Sequence, residues 1–303
     1  MPQRLVPRIR RVPRSRRLAS APVLLASILL LALVAAPPAV SQVFWTVETP
    51  DGKLGWLLGT IHTEDPRVLD FPPALQRALD DADRVALELV PDAAMLGALN
   101  EAMLLPRGER LSDVLSPKLY ADVLAVLDDY GLDAPAVQRM RPWAVAMTLA
   151  LPPPETGLFM DMAVAFRAAR QGAEVKALET LDEQLAFLTG LGREAHIEML
   201  ELAVADSDGG RALFEALIVA YLERDSERLR ALTERELERM GPSIRERFEA
   251  EGIVARNRRM AERAAPLFDQ GGTLVAVGAL HLSGEHGLVE LLRARGYRVE
   301  PVY

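Results

Sequence analysis

Thr273-Leu-Val-Ala-Val-Gly278-Ala-Leu-His281-Leu-Ser-Gly284-Glu-His286-Gly287 is the stretch on which the fold turns. Leu274 to Val277 is a short apolar run, partly β-branched, and reads as a buried strand. Gly278 ends it. A second glycine, Gly284, follows six residues on, and Gly287 opens Leu288–Arg295, whose apolar positions have helical spacing. His281 is therefore expected in a loop just past a buried strand, facing the start of a helix. In open α/β sheets that is where ligands bind.

A second copy of the pattern lies more than two hundred residues earlier, at Trp56-Leu-Leu-Gly59-Thr-Ile-His62. Again an apolar strand runs into a glycine, two residues and a histidine. If the two strands are neighbours in one sheet, both imidazoles can converge on one point. The plainer reading is a pair of loop histidines with no common ligand.

Working outward, Val43–Glu48 alternates and is rich in aromatics. An Asp51-Gly52 turn follows, then Leu54–Leu58, so a hairpin is expected to deliver His62 at its far end. Pro72-Pro73 starts a helix that runs to about Asp81. Asp83–Leu89 is the next strand, with Glu88 at its C-terminal end, and Glu174–Glu179 is another that ends in an acid. Thr180 and Glu183 have the spacing of a capping box. A carboxylate at the end of a buried strand is unusual unless it is paired or bound to a cation. A salt bridge at the sheet rim is the alternative. With His62 and His281, four strand ends each carry a ligand or proton-transfer group.

Residues 93–150 are mostly helical in pattern, with Ser116-Pro117 as an N-cap and first helical residue. Residues 181–265 read as a run of Glu- and Arg-rich helices, broken at Gly190, at Asp206–Gly210 and at Gly241-Pro242. The expectation is an α/β fold: a mixed central sheet flanked by helices, with a helical insertion at about 181–265 before the C-terminal strands. His196 lies inside a helix and is expected to be structural or at the surface.

Half of the 303 residues are apolar and 26% are charged, so a packed core is easily supplied. There is no cysteine, which excludes disulfides, iron–sulfur clusters, thiolate ligands and a cysteine nucleophile. Residues 1–17 hold seven arginines and no acid, Leu18–Ala36 is almost wholly apolar, and small residues follow at Ala39-Val40-Ser41. That is the layout of a secretory signal peptide over residues 1–41, with an uncleaved membrane anchor as the alternative. The expected address is periplasmic or secreted, with membrane contact only through this leader. Without the leader, 28 Lys and Arg face 43 Asp and Glu, a net −15 instead of −8. A domain over 42–303 of that charge is a poor nucleic-acid binder. No phosphate-binding glycine loop, Gly-x-Ser-x-Gly elbow or His-Glu-x-x-His helix is present.

The chain resembles the TraB/GumN family, which is related to the Tiki metalloproteases and more distantly to ChaN-like and erythromycin-esterase-like proteins. The matching pieces are Leu57-Leu-Gly-Thr-Ile-His62, Val85-Ala-Leu-Glu88, Leu178-Glu179-Thr180 with Gln184, Arg256-Asn257-x-x-Met260, and Val275-Ala-Val-Gly278-Ala-Leu-His281-Leu-x-Gly284-x-x-Gly287. They occur in the family's order across nearly all of residues 42–303. The family often carries Gly-x-Asp before the central helix. Here Gly157 and Asp161 stand further apart, which leaves Asp161 outside the expected site.

The resemblance implies that His62 and His281, with Glu88, form the active centre, and that in the Tiki branch this centre is a divalent-metal-dependent protease. Glu179, Arg256 and Asn257 are carried over as further catalytic candidates. Imidazole and carboxylate ligands without thiolate suit zinc, cobalt or manganese. Glu88 is then a third ligand or the base, and Arg256 a donor to a developing oxyanion. The expected function is an exported metal-dependent hydrolase acting on a peptide or protein. Two alternatives remain open: a haem- or metal-binding protein without catalysis, and a metal-independent esterase-like hydrolase with a histidine base.

Overall fold

Asp51 and Gly52 turn the chain back on itself, Gly52 at φ +79° with its N–H on the Thr49 carbonyl, and join β1 (Phe44–Glu48) to β2 (Leu54–Thr60) as an antiparallel hairpin. The computed structural model describes residues 42–303; the expected leader, residues 1–41, lies outside them. Four further strands follow: β3 (Arg84–Leu87), β4 (Glu174–Ala177), β5 (Thr273–Gly278) and β6 (Arg298–Pro301). The sheet order is β4-β3-β5-β2-β1-β6. β4, β3, β5 and β2 run parallel to one another, and β1 is antiparallel to both β2 and β6. The mixed α/β sheet expected from the sequence is what forms.

Both faces of this sheet are covered, and neighbouring residues of the strands divide between them. Leu58, Val85, Leu87, Leu274 and Ala276 face a core that includes Leu75, Ala78 and Leu79 of the Pro73–Asp81 helix and Val164 and Ala168 of the Met160–Gln171 helix. Leu57, Ala86, Val275 and Val277 face the opposite core, with Met260, Ala264 and Phe268 of the Ala255–Phe268 helix. The helix Leu288–Arg293 closes that side through Leu288, Val289 and Leu292. A third core holds no strand residue. It joins the helices Pro117–Leu127, Pro142–Leu149 and Arg193–Ala205 around Val123, Trp143 and Leu200.

Two helix boundaries differ from expectation. Gly209 and Gly210 read as part of a break, yet Ser207–Leu222 is one helix and the interruption before it is confined to Asp206. Two glycines cost about 1 kcal/mol each in a helix, which the burial of Ile218, Ala220 and Tyr221 against the sheet outweighs. A break that the sequence did not announce lies at Glu223–Asp225. There Arg224 adopts φ +63° with its guanidinium 4.4 Å from the Tyr303 ring centroid, and Asp225 caps the Ser226–Arg239 helix. Among the described residues no helix is long and apolar enough to cross a membrane.

The capping box at Thr180 forms as expected. Its side chain accepts from Glu183 N–H, and the Glu183 carboxylate accepts from Thr180 N–H. Hydrogen bonds from Arg263, helped by the Thr180 N–H, hold the Glu183 carboxyl at about 2 against an ordinary 4.5. A carboxylate depressed on folding contributes stability that is full above its unfolded value and fades as the pH falls from 4.5 toward 2. Glu183→Gln is therefore expected to melt below the wild type at pH 7. That gap should close as melts are repeated down to pH 2.

Candidate active site at the shared strand edge

The parallel register decides which residues meet. Thr60 pairs with Gly278, and Leu87 lies between Ala276 and Ala177. All four parallel strands thus end at one edge of the sheet. Glu88 follows β3 directly and Glu179 follows β4 by two residues, and the two stay paired, Glu179 N–H donating to the Glu88 carbonyl at 2.9 Å. His62 follows β2 by two residues, and His281 follows β5 by three, in a single 3₁₀ turn over Ala279–His281.

Glu88 is the hub of this edge. One carboxylate oxygen, Oε1, accepts the backbone N–H of Gly278 at 2.7 Å. The other, Oε2, accepts from Arg256 Nη2 at 2.6 Å and from Gln184 Nε2 at 2.8 Å. Arg256 also donates to Glu179 Oε2 through Nε and Nη2, at 2.9 and 2.7 Å. The Glu179 side chain is fully shielded from solvent, with Arg259 as a second cation at 3.4 Å. Burial works to raise the Glu88 carboxyl, but attraction to a protonated His281, the Arg256 charge and the Gly278 N–H outweigh it and hold the group below the ordinary carboxylate range. Arg256 was expected to serve a substrate oxyanion. Its donors are instead directed at two carboxylates and, at 3.5 Å, the Gly252 carbonyl, which makes it the holder of Glu88. Glu179 is the buried counter-charge of that holder and faces no open space.

His281 is fixed from the other side. Asn257 donates from Nδ2 to the His286 carbonyl at 2.8 Å, so its Oδ1 points at His281 Nδ1, 2.6 Å away. An amide oxygen can only accept, so the network assigns the proton to Nδ1 and leaves the Nε2 lone pair free. Nε2 faces Glu88 Oε1 at 3.7 Å. Burial, with the Arg256 charge, pushes the imidazole down to about 4 from 6.5 in spite of Glu88, and the ring is neutral at neutral pH. Asn257 is itself 1% exposed. Its position beside Arg256 at the start of the Ala255–Phe268 helix lets adjacent residues grip both halves of the pair.

His62 belongs to a second group. Its ring stacks on Phe159, centroids 3.9 Å apart, and its Nδ1 lies 3.6 Å from Asp161 Oδ2. Thr60 Oγ1 donates to the other oxygen of Asp161 at 2.7 Å. Asp161 sits in the first turn of the Met160–Gln171 helix, where the helix dipole favours a carboxylate. The His62 side chain is 55% exposed and so reachable from solvent. The sequence leaves Asp161 outside the expected site and gives no reason to single out Phe159, and it carries Thr60 and Gln184 only as parts of motifs. The one local signal for Asp161 was an acid in a helical first turn, a position also common for purely local reasons. His196, as expected, is structural: its Nε2 lies 2.7 Å from the Leu188 carbonyl.

The structure therefore joins Glu88, Glu179, Arg256, Asn257 and His281 in one network and holds His62 on the adjacent strand end with Asp161. Among the described residues no three His, Asp or Glu side chains close on one point as they stand. The two Gly-x-x-His units nevertheless touch, through Gly59 of the first. A Cβ on Gly59 would lie 3.0 Å from Ala279 Cα and 2.8 Å from Leu282 Cδ1, so the bare backbone of the first unit makes room for the turn of the second. A Cβ on Gly278 would meet Glu88 Oε1 at 3.3 Å. Gly59→Ala is expected to cost about 1–3 kcal/mol by overpacking. Because the displaced turn carries His281, its imidazole signals should shift in NMR spectra while the urea midpoint falls. An unshifted His281 would count against the contact.

Comparison with known proteins places the chain among relatives. The chain is similar to the protein named metalloprotease TIKI2 of Danio rerio, 28% identical over 86% of this chain and 61% of that protein. It is similar to metalloprotease TIKI1 of Danio rerio at 26% identity, over 86% of this chain and 63% of the relative. Metalloprotease TIKI1 of Homo sapiens is 27% identical over 86% of this chain and 62% of that protein. The chain thus spans about six-tenths of the length of these curated relatives. No solved structure matches it. The model of the TraB/PrgY/gumN family matches residues 43–301, from β1 to β6 and across every residue of the edge just described, and the chain belongs to that family.

Proposed function

We propose that this chain is an exported, divalent-metal-dependent peptidase whose cation is held by His281, Glu88 and His62. The observation that carries the reading is the facing pair at 3.7 Å, the lone pair of His281 Nε2 against Glu88 Oε1. Two acceptors held that close in a buried setting call for something positive between them. The donor set suits a divalent cation in kind: a neutral imidazole, a carboxylate held ionised by Arg256, and a second imidazole on the next strand end. In the usual manner of such sites, each ligand is oriented by an outer partner. Asn257 fixes the tautomer of His281, and Arg256 with Gln184 fixes the carboxylate plane of Glu88.

A cation bound there supplies acidified water and a polarised carbonyl. The chain's own residues do the rest. His281 keeps its proton on Nδ1, against Asn257, and presents an unprotonated Nε2. Glu88 Oε1, which accepts the Gly278 N–H, is the oxygen turned toward His281 and so the one that would hold the cation. Asp161 accepts from Thr60 and lies within reach of His62 Nδ1, which orients that ring. The similarity to proteins named metalloproteases supports a peptide or protein substrate. The basic, apolar and small-residue layout of residues 1–41 supports export.

The test starts from the purified full-length chain, with its metal content measured beside an absorption scan. A peptide library is then digested with manganese, cobalt or zinc added, and again in chelator. Stoichiometric metal and chelator-sensitive cleavage are expected. His281→Ala should lose both while its far-UV circular dichroism is unchanged. Asn257→Ala, which frees the tautomer, should weaken metal affinity roughly 10–100-fold. Full hydrolysis in chelator, or wild-type turnover by His281→Ala, would overturn the reading in favour of a metal-free hydrolase. A haem band would overturn it in favour of a haem-binding protein.

A further inference from the structure

A cavity of about 470 Å³ lies beside the strand edge, between the Ser226–Arg239 helix, the π-helical segment Phe248–Val254 and the turn that carries His281. That volume is in the range of small-ligand pockets. Asn257, whose Oδ1 touches His281 Nδ1, forms part of its wall, and so do Leu280 and Ser283, which flank His281 in the chain. Anything lodged there comes within one side chain of the proposed catalytic imidazole.

The lining has two parts. Leu237, Phe248, Ile253, Val254 and Leu280 give an apolar floor, and each is only half-buried. Around them stand the carboxylates of Glu234, Glu238, Glu249 and Glu285. Arg230 lies 3.8 Å from Glu234 and packs over Gly284, so that pair is neutral. Glu238, Glu249 and Glu285 have no ion-pair partner among the described residues, and Arg245 and His286 are the remaining basic side chains of the lining. Acids therefore outnumber bases around an apolar floor. The occupant that matches both parts has a long aliphatic stem and a cationic end, which buries its methylenes and leaves its charge at the rim.

We infer that this cavity is the side-chain subsite of the proposed peptidase and that it takes a lysine or arginine of the substrate next to the scissile bond. The inference rests on the peptidase reading for its substrate but not for its test. Binding of three labelled peptides, identical except for Arg, Leu or Glu at one central position, is measured by fluorescence anisotropy to the full-length chain in chelator. Hydrolysis of the same peptides is followed separately with metal added.

The Arg peptide is expected to bind about tenfold more tightly than the Glu peptide, with the Leu peptide between them. The double variant Glu238→Lys/Glu249→Lys, changed only at exposed positions, should erase or invert that order. Equal binding of the Arg and Glu peptides, or an unchanged preference in the double variant, would overturn the subsite. An Arg preference that the double variant removes, in a chain that cleaves none of the peptides under any metal, would keep the cavity as a cationic-peptide site and remove the peptidase reading alone.

Discussion

The contact on which the rest of the edge depends is the Arg256 guanidinium held between Glu88 and Glu179. It is only 12% exposed, one of its acids is shielded completely, and the three groups come from two strand ends and a helix far apart in the chain. Burying such charges carries a desolvation cost of several kcal/mol per ion, which pairing offsets only with good geometry. An apolar trio of similar volume would hold two strands and a helix together at least as well. What the apolar trio would lack is a carboxylate fixed in direction and kept ionised inside the protein. Glu88 gains both from Arg256, and it passes them to whatever lies between it and His281.

The same economy of parts recurs around the edge. Asn257 and Arg256 are sequence neighbours, and the first orients the imidazole while the second orients the acid. The π-helical segment that leads into their helix brings the Gly252 carbonyl to within 3.5 Å of Arg256. Tyr221 supports the other motif from the far side of the sheet. It donates to the Gly59 carbonyl at 2.8 Å, one residue beyond the Phe44–Leu58 pair of the β1–β2 ladder, where the Val43 N–H is directed at the Tyr303 carbonyl. Burial raises the Tyr221 phenol well above its ordinary value, so this donor keeps its proton at any ordinary pH. The helices outside the sheet are thus tied to the candidate site through single hydrogen bonds to motif residues as well as through packing.

Much of this was legible before any coordinates. Apolar runs that end in glycine or acid marked β2, β3, β4 and β5, and the residues just beyond them supplied His62, Glu88, Glu179 and His281. The capping box at Thr180 and the Asp-Gly hairpin were local patterns that formed as read. The part that was not legible is side-chain traffic across long separations. Arg256 looked free to serve a substrate because nothing in its own helix shows that two distant carboxylates claim it. Asp161 looked misplaced because its spacing from Gly157 departs from the family pattern. In the fold it is the start of a helix, and not that spacing, which brings its carboxylate to Thr60 and His62.

The sequence by itself determined the strand ends, because hydrophobic periodicity and turn residues act over a few positions, and its motifs carried the resemblance to the family and to its mixed α/β sheet. Only the tertiary structure decided the strand order and the register of β2 against β5. The parallel pairing of Thr60 with Gly278 sets both histidine units on one edge, and no local preference encodes it. Tertiary structure also decided the tautomer of His281, since that proton is fixed by an amide whose own orientation depends on the His286 carbonyl. Such choices belong to the packed state, where each buried polar group must find the partner that water no longer provides.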